Sequence, residues 1–539
     1  MSNERERAGK ATENRCFARN RCVMMPSALA RKDGRTDMTK MVAEQMELSR
    51  ELPVVMGNVD YEQFAWRLGQ VDRVLIRCGL EAKHVQAALT AWEQEARAKA
   101  EKAGRTYRAL SGRSAARWQR MFRQALRCNV ARLLTEKEYR RFSRRLAESA
   151  LLQKFCGIDR LDGVRVPSKS TLDRYDKLFS ERDVRELVNE LNRQAVEGSV
   201  GVERAVSLEA SLSDSTCVKA SIHFPTDWVL LRDGVRTSMK AIRVIRRHGL
   251  KHRMPEPESF LRAMNRLSIA MSQSRRREDG RKWRKAVLRR MKRLAKVVMK
   301  HGRRYRRELA ETWREQTDLK EGHVRVILGR LDGILAQLPT AIRQAHERII
   351  GGRQVVNAEK ILSLYEKDIH VIVRGKADAE VEFGNSLWLT EQLQGLIIDW
   401  KLLKESCPGD AKLLRPSQER VHDVFGRHVK SVAGDRGLWS RGNEEWLRGE
   451  GIFSALCPRD VELLRKRMKT RRFRDLQRRR AQTEGRVGIL KNNFLGRPLR
   501  SKGFEHRDMA VAWAVLGHNL WLLSGLAWEE AKAKQKKAA

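Results

Sequence analysis

Between Val206 and Asp227 the chain reads VSLEASLSDSTCVKASIHFPTD, and its apolar residues keep one parity. Val206, Leu208, Ala210 and Leu212 alternate with Ser207, Glu209, Ser211 and Ser213, and the series resumes at Val218, Ala220, Ile222 and Phe224. Period two is the signature of extended chain with one buried face. The stretch is longer than an ordinary strand, so it predicts two strands joined at a turn near Ser215. Asp214 falls on the buried parity, where a carboxylate is costly unless a cation or a proton meets it. A turn cap, as in Asp-Ser-Thr segments generally, is the competing explanation for that aspartate.

Helical spacing dominates before this stretch and again after it. Residues 1–40 are polar, basic and aperiodic, and are expected to form a flexible arm. Over 41–200, runs such as FAWRLGQVDRVLIRCGL (64–80), VQAALTAWEQEARAKA (85–100) and ARWQRMFRQALRCNVARLL (116–134) predict an all-helical region. Pro167 and Ser168 break the chain, and Ser170 is placed to cap a helix from near Thr171. That turn suits a DNA-reading helix-turn-helix and equally an ordinary helix corner. Residues 236–361 read as a basic helical insertion, in which Val287, Met291, Leu294 and Val298 keep an apolar seam while Lys and Arg cover the rest. A solvated coiled-coil arm would look this way, and so would an arm laid along a phosphate backbone; the charge of the chain favours the second. Extended chain returns in HVIVRGKADAEVEFGNSLWLTEQ (370–392), two strands around a Gly-Lys-Ala-Asp turn, and in LQGLIIDWKLL (393–403). A helix at 416–428, a strand at 429–437, a helix at 441–449 and a strand at 452–459 follow, then helices at 471–494 and 507–526 and a tail, 531–539, expected to be disordered. The fold class is therefore α+β, a mixed α/β sheet flanked by helices and split in sequence by the insertion. The sheet domain is expected to comprise 201–235 and 362–530.

Composition narrows the partners. The chain has 539 residues with 111 Lys+Arg against 67 Asp+Glu, a formal net charge of +44. Such a surplus repels itself unless the partner is a polyanion, and DNA or RNA is the first choice. A membrane surface is the rival. No 18-residue apolar span is evident and the chain opens MSNERERAGK, so the expectation is a cytoplasmic protein with no membrane partner. Eight cysteines stand at 16, 22, 78, 128, 156, 217, 407 and 457 without a CxxC pair, so they are expected to be reduced, mostly buried thiols and not zinc ligands.

The chemistry gathers on carboxylates. Asp435 ends an apolar strand ahead of an Arg436-Gly437 turn, and in open α/β sheets functional groups collect where strands give way to loops. Arg480, Glu484 and Lys491, spaced by four and seven, share one helical face. Asp214, Asp435 and Glu484 converging with oxygen-only ligation would suit Mg²⁺ or Mn²⁺. Two ions about 3.5–4 Å apart would activate water or a 3′-hydroxyl for attack on a phosphodiester, with Arg480 and Lys491 holding phosphates. Arg436 and Lys376 are further candidate DNA contacts, although hairpin charges such as Lys376 and Glu382 are commonly surface features. Asp399, after Leu396-Ile397-Ile398, is a lesser candidate for the second ligand because no turn follows it. Asp227 reads as structural, His223 as a surface group, and Trp513 and Trp521 as packing on an apolar helix.

At this point several motifs are recognisable together: DSTCVKASIHFPTDWVLLRDGVR (214–236), RGKADAEVEFG (374–384), AGDRGLWS (433–440), EGRVGILK (484–491) and GHNLWLL (517–523). Their order and spacing over roughly 160–525 resemble a bacterial insertion-sequence transposase of the DDE type, closest to the ISNCY group. The resemblance implies a ribonuclease-H-like catalytic domain and places Asp214, Asp435 and Glu484 at the three metal-binding catalytic positions. The related signature Tyr-x2-Arg-x3-Glu-x6-Lys falls on Gln477, Arg480, Glu484 and Lys491, with Gln477 replacing the tyrosine. It further implies binding to terminal inverted repeats of double-stranded DNA, cleavage there, joining of 3′-hydroxyls to target DNA, work as a homodimer or higher assembly, and a place at the bacterial nucleoid. A metal-dependent nuclease without strand joining and a transposase-derived DNA-binding protein without catalysis are the alternative readings.

Overall fold

Among the residues described by the computed structural model, 51–538 without 53, 136–137, 160–162, 203–205 and 377–378, the first seven helices follow the periodicity closely. They are α1 (Val59–Arg77), α2 (Leu80–Lys102), α3 (Gly112–Thr135), α4 (Tyr139–Glu148), α5 (Ala150–Cys156), α6 (Lys169–Asp176) and α7 (Glu181–Val196). All described residues belong to one of the two compact units of the chain, Glu47–Ala539. The arm expected at 1–40 lies outside the described residues. The cap of α6 is Ser168, whose hydroxyl accepts from the Thr171 amide at 3.3 Å, and not Ser170. Pro167 cannot continue a helix backwards, so the residue after it takes the capping position.

The alternating stretch forms one strand, β1 (Ser211–Lys219), and not two. No turn occurs at Ser215, because all nine residues of β1 pair antiparallel with β3 (Ala379–Gln392), from Ser211↔Gln392 to Lys219↔Gly384. Ladder pairing over that length outweighs the local turn preference of Asp-Ser-Thr. Both faces are covered, where the alternation predicts only one. Ser213 shares a hydrogen bond with Thr390 (2.9 Å), Thr390 with Ser417 (3.0 Å), and Ser417 donates to Asp399 (2.6 Å). The polar parity is thus buried against a helix, α12 (Ala411–Phe425), with its hydroxyls satisfied.

Beyond β1 the chain enters α8 (Asp227–Arg247), α9 (Pro257–Gln273), α10 (Gly280–Gln316) and α11 (Glu321–Ala345). These helices enclose a core of their own, including Leu231, Met239, Ile242, Met291, Val298 and Leu338. Each such side chain contributes about 1.5–3 kcal/mol on burial, so the insertion is cored independently of its basic surface. Asp227 sits at the head of this bundle, buried and held by Gln344 (2.8 Å) and both oxygens by Arg348 (2.9 Å), which is the structural role expected of it.

Strands β2 (His370–Lys376), β4 (Ile397–Leu402), β5 (Ser431–Gly434) and β6 (Phe453–Leu456) complete a six-stranded mixed sheet. The order is β2-β3-β1-β5-β6, with β4 beside β3; β2, β1 and β4 run antiparallel to β3, and β5 and β6 run parallel to β1. The helix α12 begins at Ala411, five residues before the start expected at Pro416. Its proline lies inside, against the rule that places proline in the first turn. After α13 (Arg441–Gly449) come α14 (Val461–Met468), α15 (Arg471–Arg479), α16 (Ala481–Ile489) with a π turn at Leu490–Leu495, and α17 (Phe504–Ala538).

The tail expected to be disordered is helical through its last described residue, Ala538, where α17 ends. That helix also holds an apolar window long enough to cross a membrane, contrary to the expectation that no such span exists; 67% of the window is buried among protein, as a core helix is. Its Asn519 donates to the Ile397 carbonyl (2.8 Å) and accepts from the Ile397 amide (3.1 Å), so α17 caps β4 and joins the N-terminal helices and the sheet in one hydrophobic core.

Candidate active site

The register of the central strands decides which side chains meet. In the parallel pair, Leu212 stands beside Ala433, and both belong to the small core packed under Phe473 and Leu476 of α15. Two residues further along each strand are Asp214 and Asp435, which therefore emerge on the same face, beneath the α15–α16 segment. Neighbouring strands are about 4.8 Å apart. Asp435 lies just past the last paired residue of β5, and its Oδ1 accepts from the amides of Gly437 (2.8 Å) and Leu438 (3.2 Å). Asp214 Oδ1 accepts from its neighbour's amide, Ser215 (2.7 Å).

The electrostatics of Asp214 record that placement. Burial pushes its carboxyl up to about 6; the Ser215 amide opposes this, the Asp435 and Asp410 carboxylates add to it, and Arg480 works against it. Asp410, which precedes α12, is absent from the sequence expectations. Its Oδ2 and the Asp435 Oδ1 lie 3.5 and 3.1 Å from where a Cβ on Gly437 would stand. A signal existed in Pro408-Gly409-Asp410, a turn ending in a residue suited to a helix N-cap. Starting the helix at Pro416 hid it.

The cationic helix face also assembles. Lys491 Nζ donates to Thr216 Oγ1 (2.5 Å), on the same strand face as Asp214, and Arg480 Nη1 stands 3.9 Å from Glu484 Oε1. Gln477 donates to the carbonyls of Gly434 (3.1 Å) and Ala455 (2.5 Å), tying α15 to the carboxyl ends of β5 and β6. An amide bridging two strand ends is a positioning role that a phenol could not fill in the same way. The rotation of α16 is set on its other side, where Arg486 Nε donates to the fully buried Glu391 (2.9 Å).

Of the expected residues, Asp214, Asp435, Arg480 and Lys491 gather on one sheet edge. Glu484 reaches them through Arg480 and is 63% exposed. Arg436 is exposed on the turn after Asp435, and the side chain of Lys376 lies outside the described residues. Asp399 is excluded from the edge: buried, it receives Ser417 and two bonds from Arg420 (2.9 and 2.6 Å). Glu382 pairs with Lys219 (2.9 Å), His223 is exposed and Trp513 is buried. Among the described residues no disulfide joins the cysteines, and Cys78, Cys128, Cys156 and Cys217 are buried.

Among the described residues, no three carboxylate, imidazole or thiolate groups stand close enough to hold one ion. The donor chemistry nevertheless fits a divalent cation: oxygen donors alone, one of them a carboxyl pushed up first by burial and then by two neighbouring carboxylates, with no sulfur or imidazole to favour zinc. No protein-family model, no curated protein and no solved structure matches this chain.

Proposed function

We propose that the chain is a DNA transposase of the DDE type, with a ribonuclease-H-like catalytic domain, that cuts at transposon ends and joins 3′-hydroxyls to target DNA. The observation that carries this reading is the pair Asp214 and Asp435, at matching positions on neighbouring parallel strands under a helix bearing Arg480, Glu484 and Lys491. The strand directions support it: antiparallel β4, β3 and β1 followed by β5 and β6 parallel to β1 is the arrangement such a domain requires.

Asp214, Asp435 and Glu484 are the residues to hold Mg²⁺ or Mn²⁺. Divalent ions bound there supply Lewis acidity and a lowered pKa for attacking water or hydroxyl. Arg480 and Lys491 bind and orient the phosphodiester beside the carboxylates. Gln477 keeps their helix registered on the strand ends. The exposed basic face of α10 supplies sequence-independent contacts along flanking or target duplex.

Replacing Asp435 by Ala should abolish both nicking and strand transfer of a labelled transposon end while end binding persists. Undiminished nicking by that variant rejects the assignment. Wild-type cutting without joining would favour the nuclease alternative, and binding without cutting the catalytically inactive one.

A further inference from the structure

We infer that the α14–α15 hairpin binds the phosphate backbone of the target duplex, an inference that rests on the transposase reading above. The chain leaves β6 at Leu456, which pairs with Gly434 one residue before Asp435, and α14 begins five residues later at Val461. The hairpin therefore starts from the sheet edge that carries the aspartates, and α15 leads from it to Arg480. Helix α14 buries none of its eight residues. A helix that short does not stand alone in water, so something other than a core holds it. Arginines that turn back onto the protein do so: Arg467 makes two bonds to Glu444 (2.9 and 2.7 Å), Arg472 donates to Ser431 (2.7 Å), and Arg474 to the Met468 carbonyl (3.0 Å).

What remains faces solvent and is cationic. Ten of the twenty residues 461–480 are Lys or Arg, against 111 of 539 in the whole chain, and two are Asp or Glu. Lys466, Lys469 and Arg478 are exposed, and their side chains make no hydrogen bond or ion pair among the described residues. Arg465 and Arg471 meet Glu462 (2.7 Å) and Asp475 (3.7 Å) in pairs exposed on both sides, which solvent weakens and a phosphate can displace. Like charges gathered so densely repel one another, a cost that a polyanion removes. Apart from Thr470, every exposed polar side chain over 465–472 ends in an ammonium or guanidinium. Such a surface holds a duplex by its backbone, which carries no sequence information. A backbone grip suits the target, into which an end is joined, better than the end itself, which must be told from other DNA by its bases.

The full chain carrying K466Q, K469Q and R478Q together tests this. Binding to a random-sequence duplex, followed by fluorescence anisotropy across a salt series, should lose up to about 2.7 from the slope of log K against log salt, roughly 0.9 for each phosphate released. In strand transfer of a pre-cut labelled end into a plasmid, the plasmid concentration for half-maximal joining should rise in step with that lost affinity. The maximal rate and the nicking of an uncut end should stay at wild type. Should the triple variant fail to fold, K469Q alone carries the same test with a slope change of about 0.9. A wild-type slope overturns the inference. So does a reduced slope with wild-type dependence on plasmid, or with nicking reduced as much as joining, since either puts the hairpin on other DNA. A reduced slope where the wild-type chain neither nicks nor joins overturns the proposed function and leaves the hairpin a duplex-binding surface without a target. No duplex binding by the wild type overturns both.

Discussion

Asp214 carries a charge conflict that can be measured. Its carboxyl, pushed from the ordinary 3.8 to about 6 by burial first and by Asp435 and Asp410 after that, prefers the proton in the folded state. A raised folded value means that this contribution to stability is fully present below about pH 4 and is lost as pH rises through about 6. Metal-free protein should therefore lose stability across that window, and D214N should lack this component; coincident pH profiles of unfolding for the two would show that Asp214 is not the strained group. Parity alone marked the residue, since an aspartate among alternating apolar positions stands out, but it explained a turn cap as readily as a functional carboxylate. Asp410 was not marked, because only the fold brings it near Asp214 and the Asp435 turn.

On the scale of the element, α16 shows how a helical face acquires a direction. Spacing places Arg480, Glu484 and Lys491 together, but which way that face turns is set by Arg486 and Gln482 binding the fully buried Glu391. Gly395 belongs to the same joint: it has a left-handed backbone (φ +94°), and a Cβ there would collide with the Arg486 guanidinium. Truncating Arg486 to Met strands a buried carboxylate, which costs about 3–5 kcal/mol. The denaturation midpoint should fall accordingly and strand transfer should drop, and adding E391Q should recover much of the stability. A single variant as stable as wild type would mean that the pair does not hold the helix. Neighbouring α17 contributes His518, fully buried and lowered to about 3 chiefly by burial, with Arg486 reinforcing it. It is neutral at physiological pH, so it accepts from Arg486 without adding like charge.

Across the whole molecule, the surplus of positive charge acquires a location. On α10, Lys282, Lys285, Arg289, Arg293, Lys296, Lys300, Arg303 and Arg307 are exposed along one face, a stripe about 40 Å long at 1.5 Å per residue. Its opposite face, with Val287, Met291, Val298 and Tyr305, is buried in the core of the insertion. Replacing Arg289, Arg293, Lys296 and Lys300 by Gln therefore removes charge without removing packing. Duplex affinity should fall for all sequences alike, and the slope of log K against log salt should shrink by roughly 0.9 for each phosphate no longer neutralised. An unchanged slope would show that DNA does not lie along α10.

Periodicity by itself determined the class of nearly every element here, because helices and strands each repeat a burial pattern that needs only local chain geometry. It also determined that the insertion interrupts the sheet, and that Asp214 and Asp435 end or line strands. Tertiary structure decided the rest. Pairing with β3 carried β1 straight through a turn signal, α12 buried the polar parity of that strand, and parallel register with β5 set the two aspartates side by side. The long apolar helix became a core element because other helices cover it. Each of these depends on contacts between residues distant in sequence, and no repeat within a segment encodes which partner will satisfy a buried group.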